Sequence, residues 1–254
     1  VMPGVWHIVD CMGVCMTLLE GENAAMLVDT GYGIEDVADF MRHMTDLPLT
    51  VFLTHNHHDH AMGARCFPET YMLEADMADW RMFTDDKMRR RVLTQAIGKN
   101  LPVDEKTFLA GEIPLPKVMK PGVIDLGGLT AEIIEAPGHT PGSAVVYVPE
   151  RKLLLSGDDW NPCTWLFFPQ ALGLREYRSN MRGIQQLPFE KVLCPHREAL
   201  YDRWMFDDFF NALTDGNLRA AEPVNIAPYE QIDTCQATLP HDQVLVFDWA
   251  KSGL

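Results

Sequence analysis

The sequence predicts an α/β protein in which two β-sheets pack face to face with helices outside. Three observations lead there. Short apolar strand-length pieces crowd the first thirty residues and return in the second half. Stretches with helical periodicity follow each strand-rich half. Glycine, asparagine, aspartate or proline marks most of the junctions between them.

Taken in order, residues 5–10, 14–20 and 24–29 read as strands, separated by Cys11-Met12-Gly13 and Gly21-Glu22-Asn23. Asp29-Thr30-Gly31-Tyr32-Gly33 ends the third strand in a glycine-rich turn. Ile34, Val37, Ala38 and Met41 then recur with the helical period over 34–44. Residues 49–54 form a short apolar strand, and helix resumes near Ala61. Helix is expected again over about 74–99, followed by an irregular, proline-bearing stretch at 102–121. Strands return at 123–126, 129–135, 144–148 and 153–156. A helix over 174–187, a strand at 191–194 and a helix over 202–213 come next, and the tail reads as strand at 229–232 and 243–249.

Composition excludes several classes. The formal charge of −15 opposes nucleic acid, whose binders need a basic footprint, and anionic membrane surfaces as well. No apolar run approaches the roughly 18–20 residues of a membrane helix. The first residues lack a basic stretch ahead of an apolar core, so no signal peptide is expected. Cys11, Cys15, Cys66, Cys163, Cys194 and Cys235 form no framework and no CxxC pair, which reads as a reduced, cytoplasmic protein. The one dense basic run, Lys87-Met88-Arg89-Arg90-Arg91, is either a solvated helix face or an anchor for an anionic substrate tail.

The most informative segment is Thr54-His55-Asn56-His57-His58-Asp59-His60. It leaves a strand and enters a helix. On extended chain, residues two apart point the same way, so His55 and His57 can converge on one metal. A turn into helix lets Asp59 and His60 aim at a second. Imidazole and carboxylate suit zinc, and imidazole also suits iron. Three more residues stand at strand ends, where a rigid scaffold presents side chains: His139 in Gly138-His139-Thr140-Pro141-Gly142-Ser143, Asp158 after Ser156-Gly157, and His196 after Cys194-Pro195. Asp29 either accepts a hydrogen bond from a ligand histidine or only closes its own turn. Cys194 is read as a small buried residue at a strand end. His7, His43 and His241 are read as surface or hydrogen-bonded histidines.

In order along the chain, DTG, THxHxDH, GHTPGS, SGD and PH resemble the metallo-β-lactamase superfamily of hydrolases over about residues 5–215. That resemblance implies an αββα sandwich of two mixed sheets, with the site along one edge. It implies one metal held by His55, His57 and His139 and a second by Asp59, His60 and His196, with Asp158 bridging and His58 left out. Two zinc ions are the expected cofactors; one Fe2+, mixed iron and zinc, or manganese are the alternatives. Residues 1–254 are read as one domain of this fold, with a helical insertion at about 70–120 and a strand-forming tail at about 221–254. The insertion forms a lid, a homodimer surface or, most simply, its own packed helices.

The resemblance implies a hydrolase of a small carboxyl compound (lactone, thioester or ester), similar to glyoxalase-II-like and lactonase-like members. A hydroxide shared by the metals would attack, with Asp59 or Asp158 orienting it or relaying its proton. The bridging carboxylate argues against a true β-lactamase. Absence of basic arms argues against a nuclease. A mononuclear iron persulfide dioxygenase of the same fold is the alternative, and a non-catalytic scaffold is the third reading. Four aromatics after Asp158 suggest an apolar pocket wall, with Trp160 or Trp165 facing substrate.

Overall fold

The computed structural model describes residues 1–254. The first half of the chain lays one sheet in chain order: β1 (Val5–Val9), β2 (Cys15–Glu20), β3 (Ala25–Val28), β4 (Leu49–Phe52), β5 (Tyr71–Met72) and β6 (Lys117–Val118). β1 to β3 pair antiparallel across short turns. β3 to β6 pair parallel, since helix α1 (Val37–Met44) crosses over between β3 and β4. Asp36 caps α1 by accepting the Asp39 N–H at 2.9 Å. Val37, Ala38 and Met41 then pack on the outer face of the sheet against Leu18 and Leu27. The alternate positions Leu19, Met26 and Val28 face inward.

The second sheet is also mixed. Its strands are β7 (Gly122–Asp125), β8 (Thr130–Glu135), β9 (Ala144–Val148), β10 (Leu153–Leu155), β12 (Lys191–Leu193) and β13 (Tyr201–Asp202), with a parallel pair only at β10 and β12. β9 is buried along its whole length because both its faces are covered. Ala144, Val146 and Val148 meet Met26, Val28 and Phe52 in the core between the sheets. Val145 and Tyr147 face helices α6 (Leu174–Ile184) and α7 (Arg203–Ala212), which supply Met181 and Phe206 to a second core. Two mixed sheets with helices outside is the predicted class.

Four departures from expectation have physical causes. The expected helix at 74–99 is three pieces: a 3-10 turn at Glu74–Asp79, α3 (Trp80–Thr84) and α4 (Asp86–Gly98). Asp85 makes the break. Its backbone is extended, and its carboxylate accepts the Met88 N–H at 2.8 Å, starting α4 afresh. Segment 70–120 is also not all helical, because β5 and β6 complete the first sheet. Around them, α4 and α5 (Glu105–Phe108) pack Val92, Leu93 and Phe108 on Trp80. The basic run splits with helical phase. Arg89 is buried and donates to the carbonyls of Phe108, Ala110 and Gly111, so the run is not simply a solvated face.

The fourth departure is the tail. Residues 229–232 are a turn, not a strand: Ile232 N–H bonds the Tyr229 carbonyl at 2.9 Å, and Pro228 just before it has no N–H to pair. The strand expected at 243–249 does form, but it belongs to a third sheet, which the sequence does not announce. β16 (Gln243–Asp248) pairs parallel with β11 (Cys163–Leu166) and antiparallel with β15 (Thr234–Leu239), which carries the short β14 (Glu222–Pro223). One further helix, α8 (Asp215–Arg219), precedes β14. No helix is long and apolar enough to cross a membrane.

Candidate metal centre

β4 hands the chain to residues 53–57, whose backbone bonds tie both sheets together. Thr54 N–H donates to Asp29 Oδ1 at 2.7 Å, and the Thr54 carbonyl accepts from Ala144 N–H at 2.9 Å. On this extended run, the rings of His55 and His57 lie side by side, with centroids 4.7 Å apart. The chain then enters helix α2 (His58–Ala61), three residues earlier than expected, so Asp59 and His60 leave from its first turn. From the second sheet come His139 on the turn between β8 and β9, Asp158 after β10 and His196 after β12.

All seven meet. Asp158 Oδ2 lies 3.5 Å from His60 Nε2, 3.5 Å from His139 Nε2 and 3.1 Å from His196 Nε2. Asp59 Oδ2 is 3.6 Å from His60 Nε2 and 3.7 Å from His196 Nε2. The ligand atoms fall into three groups, each within 4.8 Å: His55, His57 and His139; His55, His60 and Asp158; Asp59, His60 and His196. His58 is in none of them; it packs edge-on against Tyr32.

Outer partners fix which nitrogen of each ring faces inward. His60 Nδ1 lies 3.0 Å from Asp29 Oδ2, and a carboxylate there can only accept, so Nδ1 carries the proton. His139 Nδ1 lies 2.7 Å from the Trp165 carbonyl, with the same consequence. Nε2 is therefore the inward atom of each ring, the one that would bind a cation. Asp29 thus takes the histidine-orienting role, and the Thr54 bonds show that it closes its turn too.

His57 differs: its Nε2 is 3.0 Å from the Gln170 amide, and its Nδ1 is 2.8 Å from His139 Nε2. The Gln170 NH2 donates to Nε2, so Nδ1 carries the proton and donates to His139 Nε2. A metal bound by both rings would replace that hydrogen bond and its proton.

Buried His55 Nε2, His60 Nε2 and Asp158 Oδ1 have no hydrogen-bond partner. Each such orphan costs roughly 1–3 kcal/mol. Imidazole and carboxylate atoms aimed into one space, with nothing between them, fit a divalent transition metal. Electrostatics agrees. Burial, then neighbouring histidines, push His55 and His57 well below the usual range, so both are neutral, as ligands must be. Burial also opposes charge on His60 and His196, but Asp158 and Asp59 outweigh it and raise both. Protons there are what a metal displaces.

Loading metal therefore releases protons from His60 and His196, and affinity falls as pH drops through their raised values, then further at the more acidic pH where His55 and His57 protonate. Titration calorimetry in buffers of different ionisation enthalpy, with metal retention measured across a pH series, checks both.

A second layer fixes the ligand loops. Asp76, in the 3-10 turn ahead of α3, accepts from Asn56 N–H at 3.1 Å, Thr140 Oγ1 at 2.8 Å and Gly142 N–H at 2.6 Å. It staples the His55–His60 segment to the His139 turn. Behind it, Asp159 is fully buried and accepts the His139 N–H at 3.0 Å; burial, then the neighbouring Asp158 and Asp76, hold its pKa well above the usual carboxylate range. Sequence reasoning misses Asp76, Asp159 and Gln170. Only the acidic doublet after Gly157 gives a local signal.

The cluster floors a cavity of about 470 Å³. Phe83, Trp165, Phe168 and Tyr229 line it, together with Arg91, Gln95 and Arg197. Of the two tryptophans, either of which is expected to face substrate, Trp165 lines the cavity and Trp160 does not. Trp160 is fully buried against Tyr201 and Phe206, with its indole N–H donating to Gln243 Oε1 at 3.2 Å, because the 3-10 turn at Gly157–Asp159 rotates it into the outer core. Trp165→Ala should raise KM by roughly tenfold, the cost of losing about 50 Å² of apolar contact, and leave the melting temperature unchanged. Cys194 is a core thiol that burial pushes up to about 12.

Comparisons with known proteins bear on the family and the fold. The family described as metallo-beta-lactamase superfamily matches residues 9–196. A curated Gallus gallus protein, acyl-coenzyme A thioesterase MBLAC2, is 26% identical over 202 residues, covering 70% of each chain. Among solved structures, a metallo-beta-lactamase family protein from Thermus thermophilus superposes with a TM-score of 0.59 at 19% identity, covering 86% of this chain and 82% of its own. A superfamily protein from Sulfolobus tokodaii gives 0.56 at 17%, covering 90% and 92%. These two establish likeness of fold alone.

Proposed function

This chain belongs to the metallo-β-lactamase superfamily, and from that premise we propose that it is a two-metal hydrolase of small carboxyl compounds, with acyl thioesters first, then esters and lactones. The observation that carries this reading is Asp158, whose carboxylate lies between the two histidine groups where a bridging ligand belongs. The thioester preference rests on the 26% identical thioesterase and on the apolar wall beside the floor.

Bound at the two groups, a pair of zinc ions would supply an activated water and polarise the acyl oxygen. The chain's own residues do the rest. Asp29 and the Trp165 carbonyl hold His60 and His139 in their ligand tautomers. Trp165 and Phe168 shield the acyl group from water. Asp59 faces the cavity, where it orients the attacking water or accepts its proton. Asp59→Ala should abolish turnover; full rate with full metal content would remove that role. Six unpaired cysteines support a reducing, cytoplasmic setting.

The test is elemental analysis of the purified protein together with a panel of acyl thioesters, esters and lactones. About two zinc ions per chain and thiol release from a thioester are expected. One iron per chain with persulfide-dependent oxygen uptake would replace this reading with the dioxygenase.

A further inference from the structure

The cavity wall is divided by polarity. Aromatic side chains occupy one side, and Arg91 and Arg197 are the cationic residues that line it. The acidic residues there, Asp59 and Asp158, are engaged on the floor with His60 and His196. Arg91 leaves the exposed face of α4, and Gln95, one turn later, lines the same cavity. The helix beneath them is fixed, because buried Arg89 is bound to the carbonyls of Phe108 and Gly111. Arg197 follows His196 and donates to that residue's carbonyl, at 2.9 Å.

The chain carries 36 acidic against 21 basic residues, and Arg42, Arg81, Arg89, Arg178 and Arg203 each have a carboxylate within 4 Å. Arg91 and Arg197 are among the arginines that have none, and they are the two that line the cavity. Two guanidinium groups on separate elements, one on a helix and one on a strand-end loop, suit an anion with several oxygens and more than one charge. A single carboxylate would occupy only one fork.

We propose that Arg91 and Arg197 form an anion clamp for the leaving-group half of the substrate, and that this half carries phosphate, as in a nucleotide-linked thiol. The clamp rests on the acyl-thioester reading for its orientation: acyl group on the aromatic side, thiol arm toward the arginines. It explains how a protein of charge −15 can accept a polyanion at one place on its surface.

The experiment is calorimetric titration of zinc-loaded protein with S-methyl coenzyme A and with S-methyl pantetheine. These thioethers share the thiol arm, differ in the phosphates and offer no thiolate to metal. The phosphorylated ligand should bind at least about tenfold tighter. That advantage should shrink between about 50 and 500 mM salt, fall in Arg91→Ala and in Arg197→Ala, and vanish in the double variant. Both side chains are exposed, so folding is not at stake. Equal binding of the two thioethers, or an advantage that survives the double variant, overturns the clamp. Binding is read without turnover, so a protein that shows the advantage yet cleaves no thioester overturns the acyl-thioester reading and leaves the clamp standing.

Discussion

Asp158→Ala is expected to lower hydrolysis by on the order of 10³-fold and to leave one metal ion per chain or fewer. Several kilocalories of transition-state stabilisation come from metal held in place, and each 1.4 kcal/mol is a factor of ten. Asp158 is the carboxylate within 3.5 Å of His60, His139 and His196 at once. Without it, the two histidine groups share no anion, and the positive charge of two divalent ions would face only Asp59. The fold should survive, since Asp158 contributes no backbone cap and its loss removes a buried charge. Asp158→Asn keeps the shape and loses the charge, so it separates packing from electrostatics. Wild-type metal content and rate in both variants would remove the carboxylate from the site.

Asp29→Ala is expected to cost on the order of 4–5 kcal/mol of stability, as breaking a buried charged network does. Asp29 is buried and accepts from the Thr54 N–H, the Thr54 hydroxyl and His60 Nδ1. Alanine leaves those donors without a partner. It must also adopt the left-handed backbone, φ +64°, that aspartate tolerates better than most residues. Asp29→Asn is milder and more telling. Its amide NH2, if turned to His60 Nδ1, donates where the carboxylate accepted, which forces the ring into the tautomer with the proton on the inward nitrogen. Metal affinity should then fall about 10–100-fold with only a small loss of stability. Thermal melts and competitive zinc titration distinguish the two effects; Asn binding zinc as tightly as Asp would show that the ring needs no such partner.

The ligand cluster is legible in the sequence because local rules suffice. Extended chain aligns His55 with His57, and strand ends present His139, Asp158 and His196. Residues that depend on distant partners are not legible. Trp160 and Trp165 look alike in sequence, but Trp160 turns into the outer core, where its partner Gln243 comes from β16, 83 residues later. Gln170 meets His57 across 113 residues. The third sheet is hidden for the same reason: β11 is four residues long and β14 two, too short to carry a period. The basic run reads as a unit in sequence, although helical phase sends Arg89 inward and leaves Arg91 at the cavity.

Four of the seven cluster residues come from the first sheet side of the chain and three from the second. The ion pair would therefore act as a clasp across the sandwich, and its occupancy decides how many steps unfolding takes. Metal-loaded protein should melt in one transition, with backbone amides of β4 and β10 exchanging together. Once stripped by a chelator, the two halves keep the apolar core between them but lose the polar clasp, and their opening can separate. Exchange protection should then fall first around residues 55–60 and 137–142, while β2 and β9 stay closed, making metal status visible as a change in cooperativity as well as in activity.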